Sequence, residues 1–191
     1  MPIPANRNDN VWVNNWITGR DSMSVKDLTA VEQQVKHAIP IAIDYLRHQL
    51  PGFEGCYLMD IASIVGARHS RRIKGEYKIT MEDLKSGKTY ADTIAMTPAM
   101  HSFNNPGAEI PMSIPYRALV PEALENLIAA GRCLSADVQA HNWLNLIPHS
   151  VATGEAAGAA AALAVHSGAT PRKVDIGKLQ VTLKNQGVYL E

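Results

Sequence analysis

The sequence predicts a protein of the α/β class, with helices and a small antiparallel sheet in one chain. Residues 24–50 have apolar side chains at helical spacing, whereas residues 74–80 and 88–96 have the composition of paired strands. Residues 126–130 form a short apolar run, typical of a buried strand, that stops at Gly131 before an alanine-rich helical segment. These three observations indicate both kinds of secondary structure.

Composition limits the classes of protein to which this chain can belong. Its 191 residues allow one or two domains, and 46% hydrophobic residues are enough for a core. Equal numbers of acidic and basic residues leave no net charge, so nothing indicates nucleic acid or an anionic membrane as a partner. Residues 1–5 do not begin a signal peptide, and Cys56 and Cys133 have no metal-ligand spacing. We expect a cytoplasmic protein with reduced, buried thiols.

The first element is an N-terminal arm that leads into a strand. Residues 1–10 are polar and contain proline, which favours an extended arm. Val11, Trp12 and Val13 alternate as a strand does. For Trp12 and Trp16, packing in a core or an interface is the favoured interpretation, and stacking on a ligand is the alternative.

The second element is a long helix over residues 24–50. Thr29 and Glu32 have capping-box spacing, and Pro40 is expected to kink the helix or split it in two. The predicted apolar face consists of Val31, Val35, Ile39, Ala42, Ile43, Leu46 and Leu50.

The middle of the chain contains its densest group of charges. A predicted strand over residues 61–65 leads into this group, and a helical turn is expected over residues 80–84 between the two paired strands. Two interpretations of the arginines are open: a solvated basic turn, or a clamp in which one or two of them hold a carboxylate or phosphate. Residues 97–113 are predicted to form a loop that carries His101. The group itself is Arg68, His69, Ser70, Arg71 and Arg72.

The last third of the chain centres on the alanine-rich helix. Pro148 and the pair Thr153 and Gly154 predict its start, and His166 with Gly168 predicts its end. A start at Thr153 places unpaired backbone N–H groups and the positive end of the helix dipole there, which favours an anion or a carbonyl that gains negative charge. The alternative is a core helix whose alanines serve close packing only.

The remaining C-terminal residues predict a final helix. Asp175 is a good N-cap, and Gly187 is a stop signal. Ile176, Leu179 and Leu183 mark its apolar face. We expect this helix to pack on the outside of the domain that residues 121–191 form.

Several motifs in a fixed order resemble a known family. The motifs are G-E-Y at residues 75–77, I-P-Y-R at 114–117 followed by L-V-P at 119–121, N-L-I-A-A-G-R-C at 126–133 and A-T-G-E-A-A-G at 152–158. Over roughly residues 10–191 the chain resembles the C-terminal half of FAD-dependent oxidoreductases of the glutathione-reductase-like type, which have two dinucleotide-binding domains.

The resemblance implies three parts: an N-terminal arm (1–23), a substrate domain with the long helix and an antiparallel sheet (24–120), and the C-terminal part of an FAD-binding, Rossmann-like domain (121–191). The sequence contains no G-x-G-x-x-G, the fingerprint that holds the ADP pyrophosphate. Met1 comes after the point where the family carries that fingerprint. A second polypeptide is therefore expected to supply it in a hetero-oligomer, and the alternative is a remnant of a longer enzyme.

FAD is the cofactor that the resemblance implies. Backbone N–H groups of residues 154–157 would stabilise the negative charge that reduction places on the N1–C2=O edge of the flavin. Gly131 would let the chain approach the ribityl or pyrophosphate part closely, and Arg132 would add positive charge. The cofactor-binding candidates are Gly131, Arg132, Asn145, Pro148, Thr153, Gly154, Glu155, Ala156 and Ala157.

The implied reaction is hydride transfer from a small organic substrate to FAD, which requires a proton acceptor when the substrate is an alcohol or amine. The candidates for this acceptor are His101, His141 and His149, and the alternative is that each is an ordinary loop histidine. Tyr116 and Arg117 would orient the substrate or the flavin, or Arg117 would bond backbone carbonyls. The catalytic candidates are His101, His141, His149 and Tyr116, and the substrate-binding candidates are Arg68, His69, Arg71, Arg72 and Arg117.

Two residues depart from the family pattern. His69 stands where glutamate is usual, and Asn145 stands where the family often has arginine. Both departures are what a non-catalytic structural or assembly subunit of a flavoenzyme complex would show. That subunit is the alternative to a catalytic half.

Overall fold

The computed structural model describes residues 2–4, 9–68, 70–97 and 111–190. The chain divides into two compact units, residues 1–70 and residues 71–191. The N-terminal unit contains β1 (Pro2–Pro4), β2 (Val11–Val13) and α1 (Val25–Gln49). The C-terminal unit contains α2 (Met81–Lys85), β3 (Thr93–Thr97), β4 (Met112–Pro115), α3 (Val138–Leu144), α4 (Ile147–Ser167) and α5 (Ile176–Asn185). The mixture of helices and small antiparallel sheets agrees with the predicted α/β class.

β1 and β2 form a short antiparallel ladder in the N-terminal unit, with Ile3 opposite Trp12. The predicted strand at Val11–Val13 is confirmed. The side chains of Trp12 and Trp16 are 69% and 67% exposed, so neither fills a core of this chain. The guanidinium of Arg68 lies over the Trp16 ring, 4.9 Å from its centroid, and gives that ring a cation–π partner.

α1 is one continuous helix, and Pro40 lies inside it without splitting it. The helix begins after Ser24, whose hydroxyl accepts a backbone N–H of the first turn. Thr29 lies within the helix and donates to a carbonyl four residues earlier, so the predicted cap at Thr29 is wrong. Of the predicted apolar face only Val31 is buried, and the other members are half-buried. An open apolar groove of about 540 Å³ runs between α1 and Val13.

Two apolar runs that predict strands are irregular in the structure. Residues 61–65 have no strand conformation, and Ile64 is 76% exposed. Residues 126–130 are also irregular, and Leu127 is 42% exposed. Both predictions are wrong because a strand needs a neighbouring strand, and neither run has one among the described residues.

The sheet of the C-terminal unit pairs β3 with β4. The strands are antiparallel, with Ala95 opposite Ile114 and Thr97 opposite Met112. Every residue of β4 is buried, as are all residues of β3 except Met96. The predicted pairing of residues 74–80 with residues 88–96 is therefore wrong. The partner of β3 is β4, which follows β3 in the sequence, and not residues 74–80, which precede it.

A helix cap explains why residues 74–80 do not pair with β3. The Thr80 hydroxyl accepts the Asp83 N–H, and the Asp83 carboxylate accepts the Thr80 N–H, so α2 begins here and turns the chain. Burial raises the pKa of Asp83, but hydrogen bonds from Lys88 and Thr80 outweigh it and lower the pKa to about 2. The helical turn predicted over residues 80–84 is confirmed.

The core of the C-terminal unit packs β3 against α4 and α5. α5 has the predicted cap at Asp175, and its apolar face is buried at Leu179 and Leu183. The largest fully buried aliphatic side chains are Ile79, Ile94, Ile114, Leu119, Leu134, Leu144, Leu179 and Leu183.

The remaining expectations concern cysteines and membranes. Both cysteines are free, but Cys133 is exposed and Cys56 is half-buried, so the predicted burial is wrong. Within the part of the chain that the structure describes, no helix combines the length and the apolar character that a membrane span requires.

Gly75 is the glycine that the fold needs for close approach. A Cβ at this position would lie 2.8 Å from the Ser135 Cβ and 3.1 Å from the Arg117 carbonyl oxygen. We expect Gly75→Ala to lower the free energy of unfolding by about 1–3 kcal/mol because neighbouring backbone must move. Gly158→Ala is the control, since a Cβ there meets no atom within 4 Å inside α4, and we expect a gain of about 0.5–1 kcal/mol. Urea unfolding measures both, and equal effects would contradict the close approach at Gly75.

Candidate functional site

The first turn of α4 gathers several of the predicted site residues. The helix begins at Ile147, Pro148 is its second residue, and the N-cap Leu146 has no hydrogen-bonding side chain. Pro148 suits this position because an amide in the first turn has no partner within the helix. The predicted end at Gly168 is confirmed, with φ +63° at the C-cap. The predicted start at Thr153 is wrong, since Thr153 lies within the helix.

The earlier start moves the positive end of the helix. Residues 154–157 lie beyond the first turn, where each backbone N–H donates to the carbonyl four residues earlier. They therefore do not present free N–H groups to a ligand. The amides without a partner inside the helix belong to Ile147 and His149, because Pro148 has no N–H and Ser150 N–H donates to the Leu146 carbonyl over 3.1 Å.

Thr153 joins this first turn to a tight turn at Gly131–Cys133. Its hydroxyl is fully buried, accepts the Gly131 N–H over 2.9 Å and donates to the His149 carbonyl over 2.7 Å. Gly131 has φ +73°, a conformation that favours glycine. The Thr153 hydroxyl thus fixes the position of the Gly131 turn relative to the start of α4.

His149 is the least satisfied polar side chain of this region. It is 3% exposed, and neither ring nitrogen has a hydrogen-bond partner. Burial lowers the pKa of His149 to about 4, so the imidazole is neutral at pH 7. An unpartnered buried polar group costs about 1–3 kcal/mol, which a ligand that accepts or donates a hydrogen bond would recover. The structure places this residue in the first turn of α4 and not in the preceding loop.

His141 has a different environment although it is equally buried. It lies on α3, is 1% exposed, and has Nε2 2.6 Å from the Arg132 carbonyl oxygen. A carbonyl only accepts, so this nitrogen carries the proton and donates. Asn145, which is 4% exposed, is the C-cap of α3. These contacts hold the turn that contains Arg132 against α3.

Tyr116 and Arg117 are held by neighbouring groups of the C-terminal unit. The Tyr116 hydroxyl donates to the Pro171 carbonyl over 2.9 Å, and burial raises the pKa of this phenol to about 12. The Arg117 guanidinium makes two hydrogen bonds to the Asp92 carboxylate, at 2.9 and 3.1 Å. Arg117 therefore binds a carboxylate of its own chain and not the backbone carbonyls of the alternative interpretation.

The remaining predicted residues are Arg68, His69, Arg71, Arg72 and His101. His69 and His101 lie outside the described residues. Arg68 belongs to the N-terminal unit and contacts Trp16, whereas Arg71 and Arg72 belong to the C-terminal unit. Arg71 is exposed, and Arg72 lines a groove of about 430 Å³. In the described ranges no group of three or more His, Cys, Asp or Glu side chains is arranged to hold a metal ion.

The groove contains residues that the sequence motifs did not predict. Lys74, Lys78 and Ser135 line it together with Arg72. Charged residues alternate with less polar ones over residues 72–79. This period of two is the sequence pattern from which the groove residues could have been predicted.

Comparison with known proteins gives a family but no individual relative. The model of a family described as FAD dependent oxidoreductase matches residues 3–183. This range includes the Gly131 turn, the first turn of α4 and the groove at Arg72. No curated protein matches the chain, and no solved structure matches it.

The pKa of His149 leads to a prediction about stability. Its value is about 4 in the folded protein against an ordinary value of 6.5, so the unfolded chain binds the proton first. Stability is therefore lost as the pH falls from about 6.5 to about 4, by at most about 3 kcal/mol. His149→Leu should flatten this dependence in urea unfolding at pH 7 and pH 4.5, whereas His166→Leu, at an exposed position of the same helix, should preserve it. If the stability of His149→Leu fell between pH 7 and pH 4.5 as much as that of the unmodified protein, the loss could not be assigned to His149.

Proposed function

Because this chain belongs to the FAD dependent oxidoreductase family, we propose that it forms half of a flavin-dependent oxidoreductase and holds the flavin end of FAD at the first turn of α4. FAD is the cofactor that the family implies. The observation that carries the proposal is the buried imidazole of His149, which has no hydrogen-bond partner and lies beside unpaired helix amides.

The residues at the first turn of α4 fit a flavin for electrostatic and steric reasons. The amides of Ile147 and His149 and the positive end of a 21-residue helix favour the negative charge that reduction adds at the N1–C2=O edge. Gly131 lets the backbone turn with a positive φ beside this end, where the ribityl part would approach. When bound, FAD accepts a hydride from the substrate, and a second electron acceptor reoxidises it.

A second polypeptide is proposed for the ADP end of the cofactor. The 191 residues contain no G-x-G-x-x-G, so the ADP pyrophosphate needs a site outside them. One face of α4 supports such a partner, since Val151 and Val165 are 63% and 81% exposed and Gly154 and Gly158 are exposed between them. In this proposal residues 121–191 complete a Rossmann-like FAD-binding domain, and residues 24–120 form the substrate domain.

The proton acceptor is proposed to be a histidine. His149 is neutral and has free ring nitrogens, whereas Nε2 of His141 already donates to a carbonyl. The raised pKa of Tyr116 keeps that phenol protonated near pH 7. His149 is therefore the best supported of the described catalytic candidates, and it would accept the proton of an alcohol or amine substrate.

A non-catalytic assembly subunit is the second candidate function. The observation that favours it is the pairing of Arg117 with Asp92, which commits two of the five N–H donors of this guanidinium to a carboxylate of the same chain. In that case the flavin of the complex would contact only the partner polypeptide.

The first test is an absorbance spectrum of the protein isolated from its native source, with co-purifying polypeptides identified by mass. A flavin spectrum and a partner with a G-x-G-x-x-G segment are expected. A colourless protein that purifies alone as a soluble monomer would exclude the shared flavin site and leave a remnant or a binding module.

Thr153 allows a sharper test of the flavin position. Thr153→Val removes the acceptor of the Gly131 N–H, and an unpaired buried N–H costs about 1–3 kcal/mol. We expect flavin affinity to fall roughly tenfold or more, measured by fluorescence titration of the reconstituted complex. Thr182→Val is the matched control, because its hydroxyl also donates to a carbonyl four residues earlier but lies on α5. Equal flavin affinity in the two variants would contradict the proposed position.

A further inference from the structure

Charged positions alternate with less polar ones over residues 72–79, and the chain bends at Glu76 and Tyr77. Gly75 and Ile79 are buried, whereas Lys74 and Lys78 are exposed. The charged positions are Arg72, Lys74, Glu76 and Lys78, and the alternate positions are Ile73, Gly75, Tyr77 and Ile79.

A second segment, residues 133–136, runs beside residues 72–79 and forms the floor of the groove. The Ile73 N–H donates to the Cys133 carbonyl over 2.9 Å, and the Ile79 N–H donates to the Ser135 carbonyl over 3.1 Å. The missing Cβ of Gly75 lets the two segments approach, because a Cβ there would lie 2.8 Å from the Ser135 Cβ. The groove of about 430 Å³ that results is lined by side chains of both segments.

The charges in this groove do not cancel. Lys74 pairs with Glu122 over 2.7 Å, and this hydrogen bond raises the pKa of Lys74. Glu76 forms an ion pair with Arg172, which lies outside the groove lining and also pairs with Glu125. Arg72 and Lys78 have no ion-pair partner in the described part of the chain. The charged side chains that line the groove are three cations and two carboxylates, so the groove has an excess of one positive charge beside the hydroxyl of Ser135.

We propose that this groove binds the carboxylate or phosphate of an anionic substrate, with Arg72 and Lys78 as the cationic partners and Ser135 as a hydroxyl donor. Arg72 can form two parallel hydrogen bonds to either group, and Lys78 adds a point charge. The inference rests on the proposed oxidoreductase function and gives its substrate class, a small organic acid or phosphate ester. The diphosphate of FAD has the same chemistry and is the other source that the experiment must distinguish.

The experiment compares two double variants of the flavin-loaded complex. Arg72→Gln with Lys78→Gln removes the two cations of the groove that have no ion-pair partner among the described residues. Lys85→Gln with Lys173→Gln removes the same total charge at two exposed positions that do not line the groove. Binding of inorganic phosphate is measured by equilibrium dialysis at constant ionic strength, and thermal unfolding of each variant confirms that it folds.

We expect the groove variant to lose phosphate affinity at least tenfold while the control variant stays within twofold of the unmodified complex. Equal losses in both variants, or no loss in either, would overturn the groove as an anion site. Phosphate that binds only after FAD is removed, and that competes with added FAD, would overturn the substrate assignment in favour of the cofactor diphosphate. Flavin absorbance is recorded separately, so a colourless complex tests the proposed function and not the groove.

Discussion

The site of this protein depends on one buried hydroxyl. Thr153 accepts the Gly131 N–H and donates to the His149 carbonyl, and it has no exposure to solvent. These two hydrogen bonds connect a backbone turn with positive φ to the first turn of a 21-residue helix. Without the hydroxyl, a buried N–H of the turn would lack a partner, so the position of the turn is energetically tied to the helix.

The same helix has two faces with different tasks. Thr153, Ala156, Ala160 and Ala164 are buried against the core, where their small size lets β3 and α5 pack closely on α4. The opposite face exposes Val151 and Val165 together with glycines. A helix that is apolar on both faces is typical of an element buried on both sides, which is consistent with the proposed partner.

Charge pairing separates structural cations from those that a ligand can reach. Arg117 is committed to Asp92, and Arg172 donates to Glu125 over 3.1 Å and to the Pro121 carbonyl over 2.7 Å. The contacts of Arg172 with Pro121 and Glu125 hold the loop between them, which supplies Glu122 to the groove. Arg72 and Lys78 have no such partners among the residues that the structure describes, and the proposed anion site rests on this difference.

Local signals in the sequence determined the elements that local physics controls. Asp175 caps α5, Thr80 begins α2, and Gly168 ends α4, because each acts through bonds or dihedral angles within a few residues. The family motifs also identified FAD as the cofactor. Only the tertiary structure decided the partner of β3, the irregular conformation of residues 126–130 and the burial of His149, because these depend on contacts between residues that are far apart in the chain.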